Sequence, residues 1–398
     1  MLAAFCTSVV LNCQSLPDAK ADLSLEEDVP KFEVDSSWPK PLPNRWLPGE
    51  VAGVCVDAQD HVFIVNRDDL TPDEQDNSQP APPVIEFDPA GNVVNVWRNR
   101  NTRDTDANAV MPHEVAFPGH LHGCEVDYQG NVWISGNQDG IIQKYSHDGS
   151  KLLLQIGTPG HLDTSDGTTS GYAMNSSRTL LNRPADMAID PSNGDVYVAD
   201  GYGNRRVVVF SREGQFLRQW GRQGTVAQTE SGVGGVFLDT VHCIAIDHAS
   251  LVYVCDRKGD RVEVFDKMGN FQKNIYIRRG TGHARNLPGS ASWIAFSPDS
   301  AQKYMYVADG GNELIWILDH ESGKVLSGFG RPGHQAGEFS YLHTIAVDSK
   351  GNLIAAETIN GRRVQRFKIV GIEPAKLPHV GSEDGVQRSP NTGQEARE

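Results

Sequence analysis

The amino-acid sequence predicts an all-β chain folded as a six-bladed β-propeller. Three observations predict this fold: one pattern recurs six times, each repeat holds about four short strands, and turns are frequent throughout. Gly and Pro together supply 62 of the 398 residues, enough to end strands at short intervals. Length alone suggests two or three domains, but one closed ring accounts for the repeats, so a single domain is predicted.

Each repeat opens with an apolar strand that ends in Asp (Ser in the fifth), passes a tight polar turn and continues into a second apolar strand. In most repeats a third and a fourth strand follow, joined by a Gly-bearing turn. A period of roughly 50–70 residues is typical of a propeller blade. The first strands are VAGVCVD (51–57), LHGCEVD (121–127), PADMAID (184–190), VHCIAID (241–247), ASWIAFS (291–297) and LHTIAVD (342–348).

The propeller is predicted to span residues 31–372, with KFEV (31–34) as the outer strand that closes the last blade. Residues 1–22 are predicted to be a signal-like leader, because a short apolar run precedes the small-x-small pattern of Ala19-Lys20-Ala21. Residues 374–398 are polar and unpatterned, which predicts a disordered tail. The leader favours a secreted or periplasmic protein, with a cytoplasmic one as the alternative.

Charge and hydropathy exclude two classes of partner. The net charge is −15, whereas a nucleic-acid surface needs a basic footprint. No apolar run approaches the roughly 20 residues of a membrane helix, so no integral membrane segment is expected. The expected partner is a small-molecule or peptide substrate bearing a carboxylate, on the strength of the arginines described below.

The cysteines leave the compartment open. Cys55, Cys124, Cys243 and Cys255 lie in apolar strands, where free buried thiols are common. Cys243 and Cys255 flank a hairpin turn symmetrically, so a disulfide between them remains an alternative.

Loop lengths identify the working face of the propeller. The links from second to third strand and from blade to blade contain every long insertion, and in an antiparallel blade both kinds of link emerge on one face. Function commonly lies on long loops held by a rigid scaffold. The insertions are 68–83, 99–118, 156–182, 221–238 and 278–290.

Histidine recurs at one repeat position, five residues before the Asp (or Ser297) that ends the first strand. Alternate blades aim their side chains at the axis from directions about 120° apart, so three imidazoles can converge there. Three imidazoles with open positions are typical of catalytic zinc, although iron, cobalt and manganese also accept them. His61, His248 and His320 lie in outer turns and are weak candidates. From blade one to blade six the column reads Ala52, His122, Ala185, His242, Ser292 and His343.

A second column stands where the second strand returns to the same face. It contains Arg67, Tyr202 and Arg257. The planar fork of Arg suits a carboxylate. A tyrosine beside a metal and arginines can serve as a base, because neighbouring positive charge favours its deprotonated form.

These residues resemble the peptidyl-α-hydroxyglycine α-amidating lyases, a family of NHL-repeat propellers. The likeness is strongest over 183–221, including DGYGNRR (200–206), continues through 241–261, and extends more weakly over 51–370. The resemblance implies zinc held by His122, His242 and His343. It also implies a catalytic role for Tyr202 and substrate binding by Arg67 and Arg257.

The sequence departs from this family at the third ligand. The family's Met-Pro-His-Asp is Tyr341-Leu342-His343-Thr344 here. Loss of the Met changes the pocket wall expected for a peptide. The Asp contributes to a structural calcium in the family, and with Thr344 in its place Ca²⁺ is the weaker expectation beside Zn²⁺. A cysteine expected after the tyrosine is Gly203.

The sequence is compatible with three functions. The first is a zinc-dependent carbon–nitrogen lyase that cleaves a peptidyl-α-hydroxyglycine-like or ureidoglycolate-like carbinolamide into an amide and glyoxylate. The second is a lactonase-like metal hydrolase, whose calcium needs carboxylates that these columns lack. The third is a non-catalytic NHL-type interaction propeller.

Overall fold

The computed structural model describes residues 27–97, 117–282 and 287–378. It confirms the all-β class and the six-bladed ring: six four-stranded antiparallel sheets follow one another along the chain. The predicted leader, residues 1–22, lies outside the described residues, as does the predicted tail beyond residue 378. Within the described part of the chain, no helix has the length and apolar character that crossing a membrane requires.

The strands of the blades alternate short apolar runs with turns, as the repeat pattern predicts. Blades one to three are β3 (Val51–Val56), β4 (Val62–Asn66), β6 (Val84–Phe87) and β7 (Val93–Trp97); β8 (Leu121–Val126), β9 (Val132–Gly136), β10 (Ile142–Tyr145) and β11 (Leu152–Ile156); and β12 (Asp186–Ile189), β13 (Val196–Asp200), β14 (Arg206–Phe210) and β15 (Phe216–Trp220).

Blades four to six follow the same order, from the innermost strand outwards. They are β18 (Val241–Ile246), β19 (Val252–Asp256), β20 (Arg261–Phe265) and β21 (Phe271–Tyr276); β22 (Trp293–Phe296), β23 (Tyr304–Asp309), β24 (Leu314–Asp319) and β25 (Val325–Phe329); and β26 (Leu342–Val347), β27 (Leu353–Glu357), β28 (Arg363–Pro374) and β1 (Asp28–Val34).

The N-terminal strand closes the ring. Strand β1 pairs antiparallel with β28, from Asp28 opposite Pro374 to Val34 opposite Phe367. The pairing begins three residues earlier than the strand that the sequence indicated. The chain remains in contact with the propeller beyond the strand, because the amide of Ala375 donates to the carbonyl of Glu27 at 2.8 Å.

The core lies between neighbouring blades rather than at one centre. Apolar side chains of one sheet pack on those of the next, and strand residues such as Val65, Tyr197, Val254 and Ile315 are fully buried. The innermost strands surround an axial cavity of about 270 Å³. Burial of these two-sided strands holds the innermost residues in fixed positions around the axis.

The long links carry additional structure on one face. Two short helices, α1 (Pro72–Asn77) and α2 (Val226–Glu230), each begin with a complete capping box, on Thr71 and Thr225. Two small parallel sheets accompany them, formed by β2 (Trp46–Leu47) with β5 (Gln79–Pro80) and by β16 (Arg222–Gln223) with β17 (Val236–Phe237).

The expectation of free thiols is wrong for the four described cysteines. Cys55 in blade one is bonded to Cys124 in blade two, with Cα atoms 5.4 Å apart. Cys243 and Cys255 are bonded across their hairpin, with Cα atoms 4.9 Å apart. The first pair escapes sequence reasoning because its partners lie 69 residues apart and meet only where two innermost strands run side by side.

Candidate metal centre

Three histidines from alternate blades meet at the axis of the propeller. His122, His242 and His343 are buried, and one nitrogen from each lies within 4.8 Å of the other two. Their ring centroids are separated by 4.6–4.9 Å. The indole of Trp293 packs against all three, with centroid distances of 5.9–6.4 Å. The column read from the sequence is therefore one cluster in space.

The other three residues of the column orient these imidazoles. Nδ1 of His122 lies 2.8 Å from the carbonyl oxygen of Ala185. In the same way, Nδ1 of His242 faces Ser292 and Nδ1 of His343 faces Ala52, each at 2.7 Å. Because a carbonyl only accepts, each Nδ1 donates its hydrogen, and each Nε2 keeps its lone pair.

Local backbone geometry turns the histidines towards the axis. The pairing of the first and second strands shifts register at the histidine in blades two, four and six. Such a bulge re-aims a side chain. The residue two positions earlier has a left-handed backbone in each case, and the strain at such residues is typical of functional sites. These residues are His120 (φ 51°), Thr240 (φ 47°) and Tyr341 (φ 69°).

The Tyr202 hydroxyl stands at the open side of the cluster. It lies 2.9 Å from Nε2 of His122 and 3.0 Å from Nε2 of His242. Both nitrogens offer lone pairs, but the tyrosine has one hydrogen to donate. The donor set therefore fits a bound metal cation, which accepts imidazole lone pairs that one hydroxyl cannot satisfy.

Electrostatics keep the imidazoles of His122 and His242 neutral, as a ligand role requires. Burial, followed by the neighbouring His343 and His242, lowers the pKa of His122 well below its usual value. Burial and the adjacent Arg257 lower the pKa of His242 in the same way. A neutral imidazole binds a metal without first losing a proton.

The second column surrounds this cluster as a rim. The backbone amides of Arg67, Tyr202 and Arg257 each donate to the carbonyl of the residue two positions before the histidine column, at 2.9–3.3 Å. Nη1 of Arg257 lies 3.4 Å from the Tyr202 hydroxyl. Nε of Arg67 donates to the carbonyl of Leu121 at 2.9 Å, and its guanidinium pairs with Glu50. The structure thus brings all six predicted residues to one site.

Sequence reasoning missed three rim residues. The guanidinium of Arg183 lies over the Tyr202 ring, 5.7 Å from its centroid, and that of Arg257 lies 5.5 Å from the same centroid. His120 faces Asn137, and burial together with Arg67 lowers the pKa of His120. The carboxylate of Glu50 forms an ion pair with the guanidinium of Arg67. All three stand two positions before the histidine column in their blades, so the same repeat alignment, read two residues further back, contains them.

Comparison with known proteins confirms the resemblance. A family model described as NHL repeat matches residues 181–210, in blade three. The chain is 25% identical to Peptidylglycine alpha-amidating monooxygenase of Rattus norvegicus over 85% of its own length and 31% of that protein. It is 25% identical to Peptidyl-alpha-hydroxyglycine alpha-amidating lyase 1 of Drosophila melanogaster over 62% of its length and 44% of the other. The chain thus spans about a third to a half of these relatives.

A further relative matches along nearly its whole length. NHL repeat-containing protein 3 of Mus musculus is 26% identical over 91% of this chain and 90% of that protein. Among solved structures, the WD40 β-propeller domain of Doa1 has a TM-score of 0.52 at 10% identity, covering 85% of this chain and 97% of the other. That structural likeness supports the propeller fold.

Proposed function

We propose that the chain is a zinc-dependent lyase that cleaves the C–N bond of a carbinolamide bearing a carboxylate. The single observation behind this proposal is the Tyr202 hydroxyl, which lies 2.9 and 3.0 Å from two imidazole nitrogens of a three-histidine cluster. Distant relatives named as amidating lyases support the reaction class. The products would be an amide and glyoxylate.

His122, His242 and His343 would hold the zinc through Nε2, since each Nδ1 is engaged by a carbonyl. Zinc bound there supplies a Lewis acid, which favours loss of a proton from a hydroxyl group beside it. The hydrogen bonds to these carbonyls fix the three imidazoles in place, as hydrogen bonds to ligand histidines do in metal sites.

Tyr202 would move the proton. Its hydroxyl adjoins the nitrogen cluster, and the guanidinium groups of Arg183 and Arg257 face its ring from within 6 Å. Neighbouring positive charge favours the deprotonated, phenolate form of Tyr202, which can accept a proton. The substrate hydroxyl loses its proton to Tyr202, a C=O bond forms as the C–N bond breaks, and Tyr202 returns the proton to the leaving amide nitrogen. Atoms and charge balance without a further reactant.

Arg257 and Arg67 would hold the substrate carboxylate. Arg257 is the better placed, because its Nη1 lies 3.4 Å from the Tyr202 hydroxyl. Arg67 already pairs with Glu50, so a carboxylate would use its remaining N–H donors or displace that partner. Fixing the carboxylate aligns the C–N bond with the proton carrier.

The test is glyoxylate release by the zinc-loaded protein from an N-acyl-α-hydroxyglycine and from ureidoglycolate. Release from either, lost on chelation and restored by zinc, supports the lyase. Absence of release from both substrates would sink it. The alternative is a non-catalytic NHL-type propeller, in keeping with the match to NHL repeat-containing protein 3 over 91% of this chain and 90% of that protein. This alternative predicts no turnover with either substrate.

We also propose that the chain works in an oxidising compartment, secreted or periplasmic. Two disulfides link described strands of the inner propeller, and such bonds persist mainly outside the reducing cytosol. Thiol labelling of the chain taken directly from its native cells, read residue by residue, tests this. The cysteines of both disulfides should be protected, and labelling of all four would place the chain in a reducing compartment.

A further inference from the structure

A second cluster of metal-binding side chains lies in blade one, at the end of the propeller opposite the three histidines. Asp57 directly follows strand β3, His61 precedes β4, and Glu86 lies in β6. One ligand atom from each lies within 4.8 Å of the others. Nδ1 of His61 is 2.6 Å from Oε1 of Glu86. The two carboxylates are nearly buried, with Asp57 7% and Glu86 5% exposed.

Blade two places different side chains at the equivalent positions. The equivalent residues there are Asp127, Asn131 and Lys144. Asn131 follows Asp127 by four positions, as His61 follows Asp57. In the strand register, Lys144 lies opposite Trp133 as Glu86 lies opposite Phe63. Nζ of Lys144 lies 2.9 Å from Oδ2 of Asp127. In blade two, therefore, a base in the third strand neutralises the buried turn aspartate.

Other blades neutralise this aspartate as well. Asp190 pairs with Lys267 at 2.6 Å, and Asp247 with His320 at 3.3 Å. Blade one instead places an acid where blade two has its lysine. The ion pairs described for Asp57 and Glu86 are to His147 and His61 alone. Asp57 is held as Asp247 is, by an imidazole of the next blade, and its carboxylate also accepts from two backbone amides. What is peculiar to blade one is the added acid. Two carboxylates whose described ion pairs are to two imidazoles are balanced only when both imidazoles carry a proton, and a bound divalent cation would supply that positive charge instead.

We propose that Asp57, His61 and Glu86 form a second divalent-metal site, distinct from the three-histidine centre. One imidazole and two carboxylates suit Zn²⁺ or Mn²⁺ better than a purely oxygen-liganded ion such as Ca²⁺. His147, whose Nε2 lies 2.9 Å from Oδ2 of Asp57, holds that carboxylate from blade two. A surface cleft of about 570 Å³ beside Asp57 and His147 gives an ion access.

This metal would join the first turn of blade one to its third strand. Through Asp57 and His147 it would also brace blade one against blade two, two residues from the disulfide of Cys55 with Cys124. Its role is therefore structural support of the ring, independent of whether the three-histidine centre is catalytic.

The decisive variant copies blade two into blade one: His61→Asn with Glu86→Lys. This pair supplies the lysine that neutralises the turn aspartate, so the fold should persist. The full chain is stripped with chelator, loaded with Zn²⁺ or with Mn²⁺, freed of excess ion and analysed for metal per chain. The wild-type chain should retain one more ion than the double variant. Equal metal content in the two proteins would overturn the proposal.

A matched variant separates the two sites. His122→Ala with His242→Ala should still bind one ion per chain, and this ion should raise Tm by a few degrees. If the three-histidine centre binds nothing, the wild-type chain should hold one ion and the blade-two copy none, which rejects the zinc lyase but keeps this site. Should the copy fail to fold, the single His61→Asn change decides, since His61 is part-exposed: unchanged metal content would overturn the site.

Discussion

Nδ1 of His343, in the last blade, lies 2.7 Å from the carbonyl oxygen of Ala52, in the first. The two residues are 291 positions apart, so this hydrogen bond forms only when the ring closes. The same bond links blade two to three and blade four to five. Each imidazole is therefore supplied by one blade and oriented by the next, which makes the centre a property of the whole ring.

Replacing two of the three histidines should remove metal from the central site without unfolding the protein. His122→Ala with His242→Ala leaves the inter-blade apolar core intact, and strand burial supplies the stability of the ring. Metal content after chelation and reloading should fall by one ion per chain, with unchanged far-UV circular dichroism. His248→Ala, on an exposed turn, is the control and should keep the full content. Undiminished metal in the double variant would contradict the assignment.

Tyr202→Phe should lower kcat for glyoxylate release by roughly 10²–10⁴-fold, the usual effect of removing an acid–base group. Zinc content should not change, because the imidazoles keep their carbonyl partners. Tyr172→Phe is a matched control, since that ring is 85% exposed. An active Tyr202→Phe enzyme would leave the lyase standing but take the proton-transfer role from this residue.

Arg257→Ala should raise KM for substrates with a carboxylate by about 10- to 100-fold, the range for a lost charged hydrogen bond. For a carbinolamide without the carboxylate the change should be small. Arg67→Ala should show a smaller difference between the two substrates, because Glu50 already engages Arg67. Arg212→Ala, with a side chain 69% exposed, provides the control. Equal losses on both substrates would argue against carboxylate binding by Arg257.

Stability should fall as pH rises through the neutral range, in part because of Glu125 in the axial cavity. Burial, with a smaller effect of Asp127, raises the pKa of Glu125 to about 8, while the unfolded chain releases that proton near 4.3. Between these values the folded state binds more protons, so the free energy of unfolding decreases with pH. Glu125→Gln should make this slope shallower, so its stability relative to the wild type should increase between pH 5 and 9.

Urea unfolding across that pH range measures the effect. Glu321→Gln, on an exposed turn, is the control and should follow the wild-type curve. The prediction fails if Glu125→Gln loses stability with pH as steeply as the unchanged protein does.

The two disulfides should differ in their contribution to stability. The link of Cys55 with Cys124 spans 69 residues and that of Cys243 with Cys255 spans 12. Loop-closure entropy gives about 4 and about 3 kcal/mol for loops of these sizes. Replacing each pair by serine and measuring unfolding without reductant should show the larger loss for the first pair. A larger loss for the hairpin pair would contradict the entropy argument.

The sequence predicts the ring and the histidine cluster because both depend on repetition. Each blade positions equivalent residues alike, so an alignment of His122, His242 and His343 already places them around one axis. The hydrogen bond from each imidazole to a carbonyl of the next blade could not be predicted in this way. It depends on how neighbouring innermost strands, such as β8 and β12, lie side by side, and an alignment of the repeats does not contain that information.

Features that depart from the repeat were not accessible in this way. Cys55 and Cys124 stand at different offsets in their blades and meet through the lateral packing of two strands. Glu86 becomes noticeable only when its sheet register with Phe63 is compared with that of Lys144 and Trp133. The predicted leader remains a prediction.

The alternation of histidine and carbonyl around the axis also restricts how such a ring can change by duplication. Each ligand-bearing blade needs a neighbour that contributes only a backbone oxygen. Adding or deleting one blade would seat two ligand blades side by side or leave a gap of two, and the 120° spacing would be lost. A lineage that keeps this centre can therefore exchange or diversify whole blades, but can change their number only at the cost of the site.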